Sequence, residues 1–182
     1  MIILISSLLL GCTGNKYESP AYSVISSDGK FEIRDYPQIV LASTPMQKRS
    51  GDGAFMNLFR FIQGRNDRGE KIAMTTPVLM TGSSSGMMSF VLPKSVAEHG
   101  APAPSNPDVS LTVRPPAHYA VYRFSGSDKP IPSEVAAKKL LAWAESHNIR
   151  TLGSPLFAYY NPPWTPVFLR RNEVLLLLAP TP

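Results

Sequence analysis

The chain has 182 residues, of which 43% are hydrophobic and only 17% are charged. This is enough for one domain with its own core, while 18 Pro and 12 Gly argue against a helical bundle and favour short elements joined by turns. The formal net charge of +5 comes from isolated or paired Lys and Arg. Since there is no basic run of five or more residues, we expect no nucleic-acid partner.

The first eleven residues (MIILISSLLLG) contain no charge and are too few to cross a bilayer as a helix. They are typical of the apolar core of a secretory signal peptide, although the usual basic start is missing. Cys12 follows directly and is the single cysteine of the chain, so an internal disulfide is ruled out. The alternative is a chance cysteine after a chance apolar start.

Residues 9–12 (LLGC) resemble the lipobox of bacterial lipoprotein signals. The resemblance implies removal of residues 1–11, lipidation of Cys12 and a flexible tether over residues 12–20. Thr13 stands where an Asp would favour retention at the inner membrane in enterobacterial-type sorting. We therefore expect an envelope protein anchored in the outer membrane and facing the periplasm.

The first half of the domain alternates apolar and polar residues and then changes period. The alternation predicts strands over residues 22–25 and 30–44, with a turn at Asp28 and Gly29. Residues 51–64 have the helical spacing i, i+3, i+4, i+7, carried by Phe55, Leu58, Phe59 and Ile62. Strands over residues 72–81 and 87–93 then flank a glycine- and serine-rich tip.

The second half begins after a proline-rich stretch, residues 97–108, which predicts a surface loop. Four strands and one helix follow: strands 109–114 and 118–124, a helix over 133–148, and strands 157–161 and 173–178. Each half thus has a strand, a helix and two more strands. This shared order indicates an internal duplication.

Motifs for covalent chemistry are missing from the sequence. The three histidines, His99, His118 and His147, have no second His or Cys at ligand spacing, and no zinc, phosphate-loop or catalytic-serine pattern occurs. Aromatic residues are the better signal, because Phe157, Tyr159, Tyr160 and Trp164 surround the rigid turn at residues 161–163. Such rings suit the wall of a pocket for a planar ligand.

Helix 51–64 offers a second wall. Phe55 and Phe59 point to one side, and Arg60 can reach a carboxylate. The same apolar residues also fit an ordinary core. From the residues alone, the chain is an α+β domain with an apolar pocket.

Four ordered blocks resemble the SOUL/haem-binding protein family. They are residues 31–37 (FEIRDYP), 59–66 (FRFIQGRN), 71–78 (KIAMTTPV) and the pair 160–166 (YNPPWTP) and 170–174 (RRNEV). Together they span residues 17 to 178, nearly the whole chain after the tether. The domain boundaries expected from this are 1–11 signal peptide, 12–20 tether and 21–182 SOUL-type domain.

The resemblance implies a distorted antiparallel β-barrel made of two pseudo-repeats, with two helices packed outside. It also implies that haem or a related porphyrin binds without a covalent bond in a groove between the first helix and the loop before the last strand. Carried over by position, the groove is lined by Phe55, Phe59, Arg60, Pro163, Trp164 and Thr165. Arg60 would pair with a propionate.

This sequence departs from some family members at two positions. Asp35 stands where some animal members have a His proposed as an iron ligand, and Thr165 stands where others have a basic residue. No metal ligand is therefore assigned. We expect a monomeric binding protein for haem or another planar amphiphile, not an enzyme. The alternatives are an enzyme that removes iron from haem, using Asp35 or His118, and an envelope module that binds a lipid or peptide.

Overall fold

The computed structural model describes residues 17–46, 51–82, 86–127 and 130–180. The predicted signal peptide, Cys12 and the serines of the 82–86 tip lie outside the described residues. Within them the strands are β1 (Ser23–Asp28), β2 (Phe31–Tyr36), β3 (Ile39–Pro45), β4 (Val78–Thr81), β5 (Met87–Val91), β6 (Ser110–Arg114), β7 (Ala117–Phe124), β8 (Thr151–Tyr159) and β9 (Asn172–Leu178). The helices are α1 (Gly51–Ile62), α2 (Lys94–His99) and α3 (Pro130–Ser146), with a 3-10 turn at Val167–Leu169.

All nine strands form one antiparallel sheet in the order β1-β2-β7-β9-β8-β4-β5-β3-β6. The order is symmetric about the β8–β4 pair, since β2-β7-β9-β8 mirrors β6-β3-β5-β4. In each half a strand leads into a helix and then into a hairpin, β3-α1-β4-β5 and β7-α3-β8-β9. The topology therefore repeats the strand-helix-strand-strand order expected from the sequence.

Helices α1 and α3 cover the outer face of the sheet, one on each half. Leu58, Phe61 and Ile62 of α1 pack against Val40 and Phe90 in one buried cluster. The second cluster holds Ala136, Ala137 and Leu140 of α3 against the sheet residues Ala120, Val174 and Leu176. Each helix is thus fixed by the apolar stripe that its period predicted.

The opposite face of the sheet is also buried, and it is called the inner face below. Its cluster joins Tyr36 of β2, Leu41 of β3, Leu79 of β4 and Val121 of β7. Since β2 and β3 stand near opposite ends of the strand order, the sheet must curve for these residues to meet. Leu175 and Leu156 complete this inner layer.

The expected barrel is not closed in the described residues, because β1 and β6 are the two edges of the sheet and do not pair. The α+β class is confirmed. Three helices are found where two were expected, since α2 lies within and just before the stretch predicted as loop 97–108. Residues 72–77 belong to no strand, so β4 is shorter than predicted.

The predicted strand over residues 30–44 is two strands, because Pro37 interrupts it. Proline has no N–H to donate to a ladder, so β2 ends at Tyr36 and β3 begins at Ile39 with different partners. The turn at Gly29 was predicted correctly: its φ of 60° suits glycine, and it joins β1 to β2. Packing begins upstream of residue 21, since the Thr76 N–H donates to the Glu18 carbonyl at 2.8 Å.

Candidate functional site

The helix side of the expected groove is an aromatic pair on α1. The rings of Phe55 and Phe59 stack with centroids 6.0 Å apart and planes 15° apart, and Phe55 also meets Phe90 edge-on at 5.3 Å. Phe59 packs against the α1 core, whereas Phe55 remains 37% exposed. Arg60 is exposed in the last turn of the same helix. The helix therefore exposes part of the Phe55 ring and the Arg60 guanidinium to solvent.

The loop side of the expected groove lies between β8 and β9. Trp164 is 82% exposed, Pro163 is exposed and Thr165 is half-buried. Arg170 holds this loop in place, because its guanidinium donates hydrogen bonds to the carbonyls of Pro163 and Thr165. The indole of Trp164 is thus presented from a braced loop.

The structure places these two sets on separate elements, and α1 packs on β3 and β5. Two cavities in the described part of the chain, one on the inner face and one beside α3, are lined by residues other than these six. That the six line one groove therefore stays a prediction.

The first cavity lies on the inner face of the sheet and has a volume of about 40 Å³. Tyr36, Leu79, Tyr119 and Tyr160 are among the residues that line it, and Pro20 closes it from the N-terminal side. Sites for small molecules have volumes of roughly 300–1,000 Å³, so this space suits a few waters and not a porphyrin.

The second cavity is a groove on the outer face, between α3 and the paired strands β4 and β8, with a volume of about 390 Å³. Met80 and Phe157 face each other across the two strands and form its floor, and Leu141 and Lys138 come from α3. Its size falls in the range of small-ligand sites. Sequence reasoning did not single it out, because the groove arises only when β8 pairs with β4 across the symmetry of the sheet.

A buried charged cluster crosses the inner face. Arg34 on β2 binds Glu173 on β9 through two hydrogen bonds, Nη1 to Oε2 at 2.8 Å and Nη2 to Oε1 at 3.1 Å. Arg171 donates to Oε1 at 2.7 Å, and the Tyr160 hydroxyl donates to Oε2 at 2.9 Å. Tyr36 accepts a further hydrogen bond from Arg34 at 3.0 Å. Because β7 lies between β2 and β9, the cluster connects strands that are not neighbours.

The protonation of this cluster follows from burial and charge. Burial alone would raise the pKa of Glu173, but the hydrogen bonds and charges of Arg34 and Arg171 outweigh it and hold the pKa below its ordinary value. Burial raises the pKa of Tyr36 to about 12, although Arg34 pulls it down. Burial and the Glu173 charge also raise the pKa of Tyr160. Glu173 is thus an ionised carboxylate with both oxygens occupied by donors, which suits a brace and not a general base.

One contact of this cluster is local in the sequence, since Arg171 and Glu173 are two residues apart. The sequence did not show Arg34 as their partner. The available signal was a set of ionisable residues at alternating positions, Glu32, Arg34 and Tyr36 on β2, in a strand otherwise covered on both sides. Such residues remain buried only when they are paired.

Asp35 and His118 face each other across β2 and β7, with His118 Nε2 and Asp35 Oδ1 3.5 Å apart. Both side chains are about half exposed, and neither lines a cavity. Among the described residues no group of three or more His, Cys, Asp or Glu is placed to hold a metal ion. No helix in the described ranges is long and apolar enough to cross a membrane.

Two strand-helix-strand-strand repeats that share one antiparallel sheet, with both helices on its outer face, define a two-repeat α+β domain. The chain belongs to the SOUL heme-binding protein family, whose family model matches residues 17–177. The four sequence blocks that resembled this family lie within or at the end of that match. A comparison with curated proteins gave no match.

Solved structures support the fold. The C-terminal domain of EcmrR is similar over 88% of this chain and 99% of its own, with a TM-score of 0.58 and 11% identity. EcmrR in a DNA complex has a TM-score of 0.61 at 10% identity, and the match covers 83% of this chain but only 57% of that one. A hydrolase from Listeria innocua matches over 85% of this chain and 94% of its own, with a TM-score of 0.56 and 9% identity. Identities this low show a shared fold alone.

Proposed function

We propose that this chain binds haem or a related porphyrin without a covalent bond, in a groove between α1 and the loop before β9. The observation that carries the proposal is membership of a haem-binding family over residues 17–177. The exposed aromatic surface of Phe55 and Trp164 supports it, because a planar ligand gains most from stacking on rings. Phe59, Pro163 and Thr165 complete the apolar lining, and Arg60 meets a propionate.

Arg60 is the residue that gives orientation to this site. A guanidinium pairs with a carboxylate through two parallel hydrogen bonds, and its exposed position at the end of α1 lets the propionate remain near water. No axial protein ligand is assigned, since Asp35 occupies the position of the possible His and lies 3.5 Å from His118.

A haemin titration followed by the Soret absorbance tests the proposal. The protein is the chain from residue 12 onward with Cys12→Ser, which keeps every described element. We expect Arg60→Ala and Trp164→Ala each to weaken binding by about tenfold or more, since about 1.4 kcal/mol corresponds to tenfold. Arg150→Ala is the matched control, because Arg150 is exposed at the opposite end of β8. Unchanged affinity in both Arg60→Ala and Trp164→Ala would remove the groove as proposed.

We further propose that the chain is exported and lipid-anchored through Cys12, with the domain facing the periplasm from the outer membrane. The apolar residues 1–11 and the lipobox-like residues 9–12 support this. Mass spectrometry of the protein from bacterial membranes is expected to find a chain that begins at an acylated Cys12. A soluble protein that retains residues 1–11 would contradict it.

The second cavity, between α3 and strands β4 and β8, is called the α3 groove below. It favours a second candidate function, the binding of a lipid chain or an apolar peptide. Its volume of about 390 Å³ and its floor of Met80 and Phe157 suit an elongated apolar ligand, and Lys138 at its side suits a negative headgroup. The haemin titration separates the two sites when it is repeated with a further single variant, Leu141→Glu. If this variant loses haemin affinity while Arg60→Ala does not, the α3 groove is the haem site; if neither loses it, lipid extraction of the purified protein identifies the groove's own ligand.

A further inference from the structure

The loop between β8 and β9, residues 160–171, exposes more apolar surface than any other short segment described. Trp164 is 82% exposed, Phe168 76%, Leu169 63% and Val167 47%. These four side chains fall within six consecutive positions, residues 164–169. Soluble proteins scatter such residues singly, and a contiguous patch indicates a surface that is covered by something else.

The loop holds this exposed arrangement through its own hydrogen bonds. The Thr165 N–H donates to the Pro162 carbonyl at 3.0 Å, and the Leu169 N–H donates to the Pro166 carbonyl at 2.9 Å. Arg170 Nε donates to the Thr165 carbonyl at 2.9 Å. Since the backbone is already ordered, little conformational entropy is lost when the apolar side chains meet a partner.

Charge and position favour a lipid surface as that partner. Residues 160–171 contain no Asp or Glu and end in Arg170 and Arg171, and the chain carries a formal charge of +5. Tyr22 lies at the base of the loop, with its hydroxyl 3.4 Å from Arg171 Nη2. Tyr22, just before β1, therefore contacts the C-terminal end of the loop.

We propose that loop 160–171 inserts Trp164, Phe168 and Leu169 into the headgroup boundary of an anionic phospholipid bilayer. Trp and Phe suit this boundary because their rings are apolar while the indole N–H can stay hydrated, and the loop carries no acidic side chain that anionic headgroups would repel. A narrow projecting loop fits a penetrable bilayer better than a flat protein partner, which needs about 800 Å² on each side. The inference depends neither on lipidation of Cys12 nor on haem binding.

The two tryptophans make the test direct. Trp143 is stacked on Phe31 and bonded to Asp28, so Trp143→Phe leaves Trp164 as the single indole reporter. In the chain from residue 12 with Cys12→Ser, we expect phosphatidylglycerol/phosphatidylcholine vesicles to shift Trp164 emission to the blue. Lipids brominated on their acyl chains should quench it. Vesicles of phosphatidylcholine alone should bind more weakly.

Leu169→Ser and Leu152→Ser form a matched pair, because both leucines are exposed and Leu152 lies at the far end of β8. Vesicle co-sedimentation is measured with each substitution added to the Trp143→Phe variant. Leu169→Ser and Phe168→Ser should each bind vesicles at least about tenfold more weakly, and Leu152→Ser should bind them unchanged. Haemin affinity should be unchanged in Leu169→Ser, which separates this proposal from the haem site, where Trp164 also belongs.

Three outcomes overturn the proposal. The first is Trp164 emission that stays unshifted with anionic vesicles. The second is equal loss of vesicle binding in the Leu169 and Leu152 variants. The third is sedimentation of the vesicle-free protein as a dimer that Leu169→Ser dissociates, which would show that a second copy of the chain covers the loop.

Discussion

Glu173 is fully buried, and its charge is maintained by two arginines, Arg34 on β2 and Arg171 just before β9. An isolated carboxylate in this position would take up a proton, because burial penalises the charged form. Five donor contacts from Arg34, Arg171 and Tyr160 satisfy its two oxygens instead. The side chain thus acts as a structural brace on the inner face.

This arrangement predicts how stability depends on pH. The folded pKa of Glu173 lies below its ordinary value of 4.5, so its ionised form contributes stability that is fully present above that value. The contribution is lost as the pH falls through the lower, folded pKa. At neutral pH we expect Glu173→Gln to lower the unfolding free energy by about 3–5 kcal/mol, because the buried Arg34 and the partly buried Arg171 lose the carboxylate that they share.

Urea unfolding at several pH values checks this prediction. The stability difference between the native chain and Glu173→Gln should shrink as the pH is lowered below 4.5. Glu134→Gln is the control, since Glu134 is exposed on α3. A difference that is constant over the acid range would mean that folding does not lower the pKa of Glu173.

Helix α3 packs on the sheet through one face only, and two adjacent leucines on different faces test this. Leu140 is completely buried against the sheet, whereas Leu141 is 43% exposed. We expect Leu140→Ala to lower the unfolding free energy by about 2–5 kcal/mol, because a cavity is left behind. Leu141→Ala should cost roughly 0.5 kcal/mol. Thermal denaturation of the two variants measures the contrast, and similar losses would show that the helix packs on a different face.

Both long helices could be predicted from sequence, because a stripe with a period of 3.6 is a local property. The expected ranges 51–64 and 133–148 agree with Gly51–Ile62 and Pro130–Ser146 to within a turn. Individual strands were also visible, but their partners were not. The pairing of β2 with β7 and of β4 with β8 depends on residues some eighty positions apart, and no local pattern encodes it.

The site shows the same division. Exposed aromatic residues such as Phe55 and Trp164 were recognisable from composition and from the family resemblance. The α3 groove and the Arg34–Glu173 contact were not, because each needs residues from distant strands to converge. Pro37 signals the break between β2 and β3. The alternation of apolar residues on both sides of it nevertheless led to the prediction of one continuous strand.

The whole molecule is one interleaved sheet. Strand β2 of the first half pairs with β7 of the second, while β6 of the second half pairs with β3 of the first. Neither half therefore contains a complete set of ladder partners, and each would expose one side of its apolar strands.

We expect the fragments 17–107 and 108–182 to remain unfolded when they are produced separately. Circular dichroism during heating measures this, and each fragment should lack a cooperative transition. The intact chain from residue 12 is the control. A sharp unfolding transition in either fragment alone would show that the repeats are independent folding units.

The two edge strands of the sheet, β1 and β6, affect how readily copies of the protein aggregate. A β-bulge between Val24 and Ser26 interrupts β1, and β6 is five residues long and is followed by Pro115 and Pro116, which carry no N–H. Short, bent or proline-ended edges are poor templates for strand pairing between molecules. Copies crowded together at high concentration are thereby protected against growing into continuous fibrils, although their sheet never closes on itself.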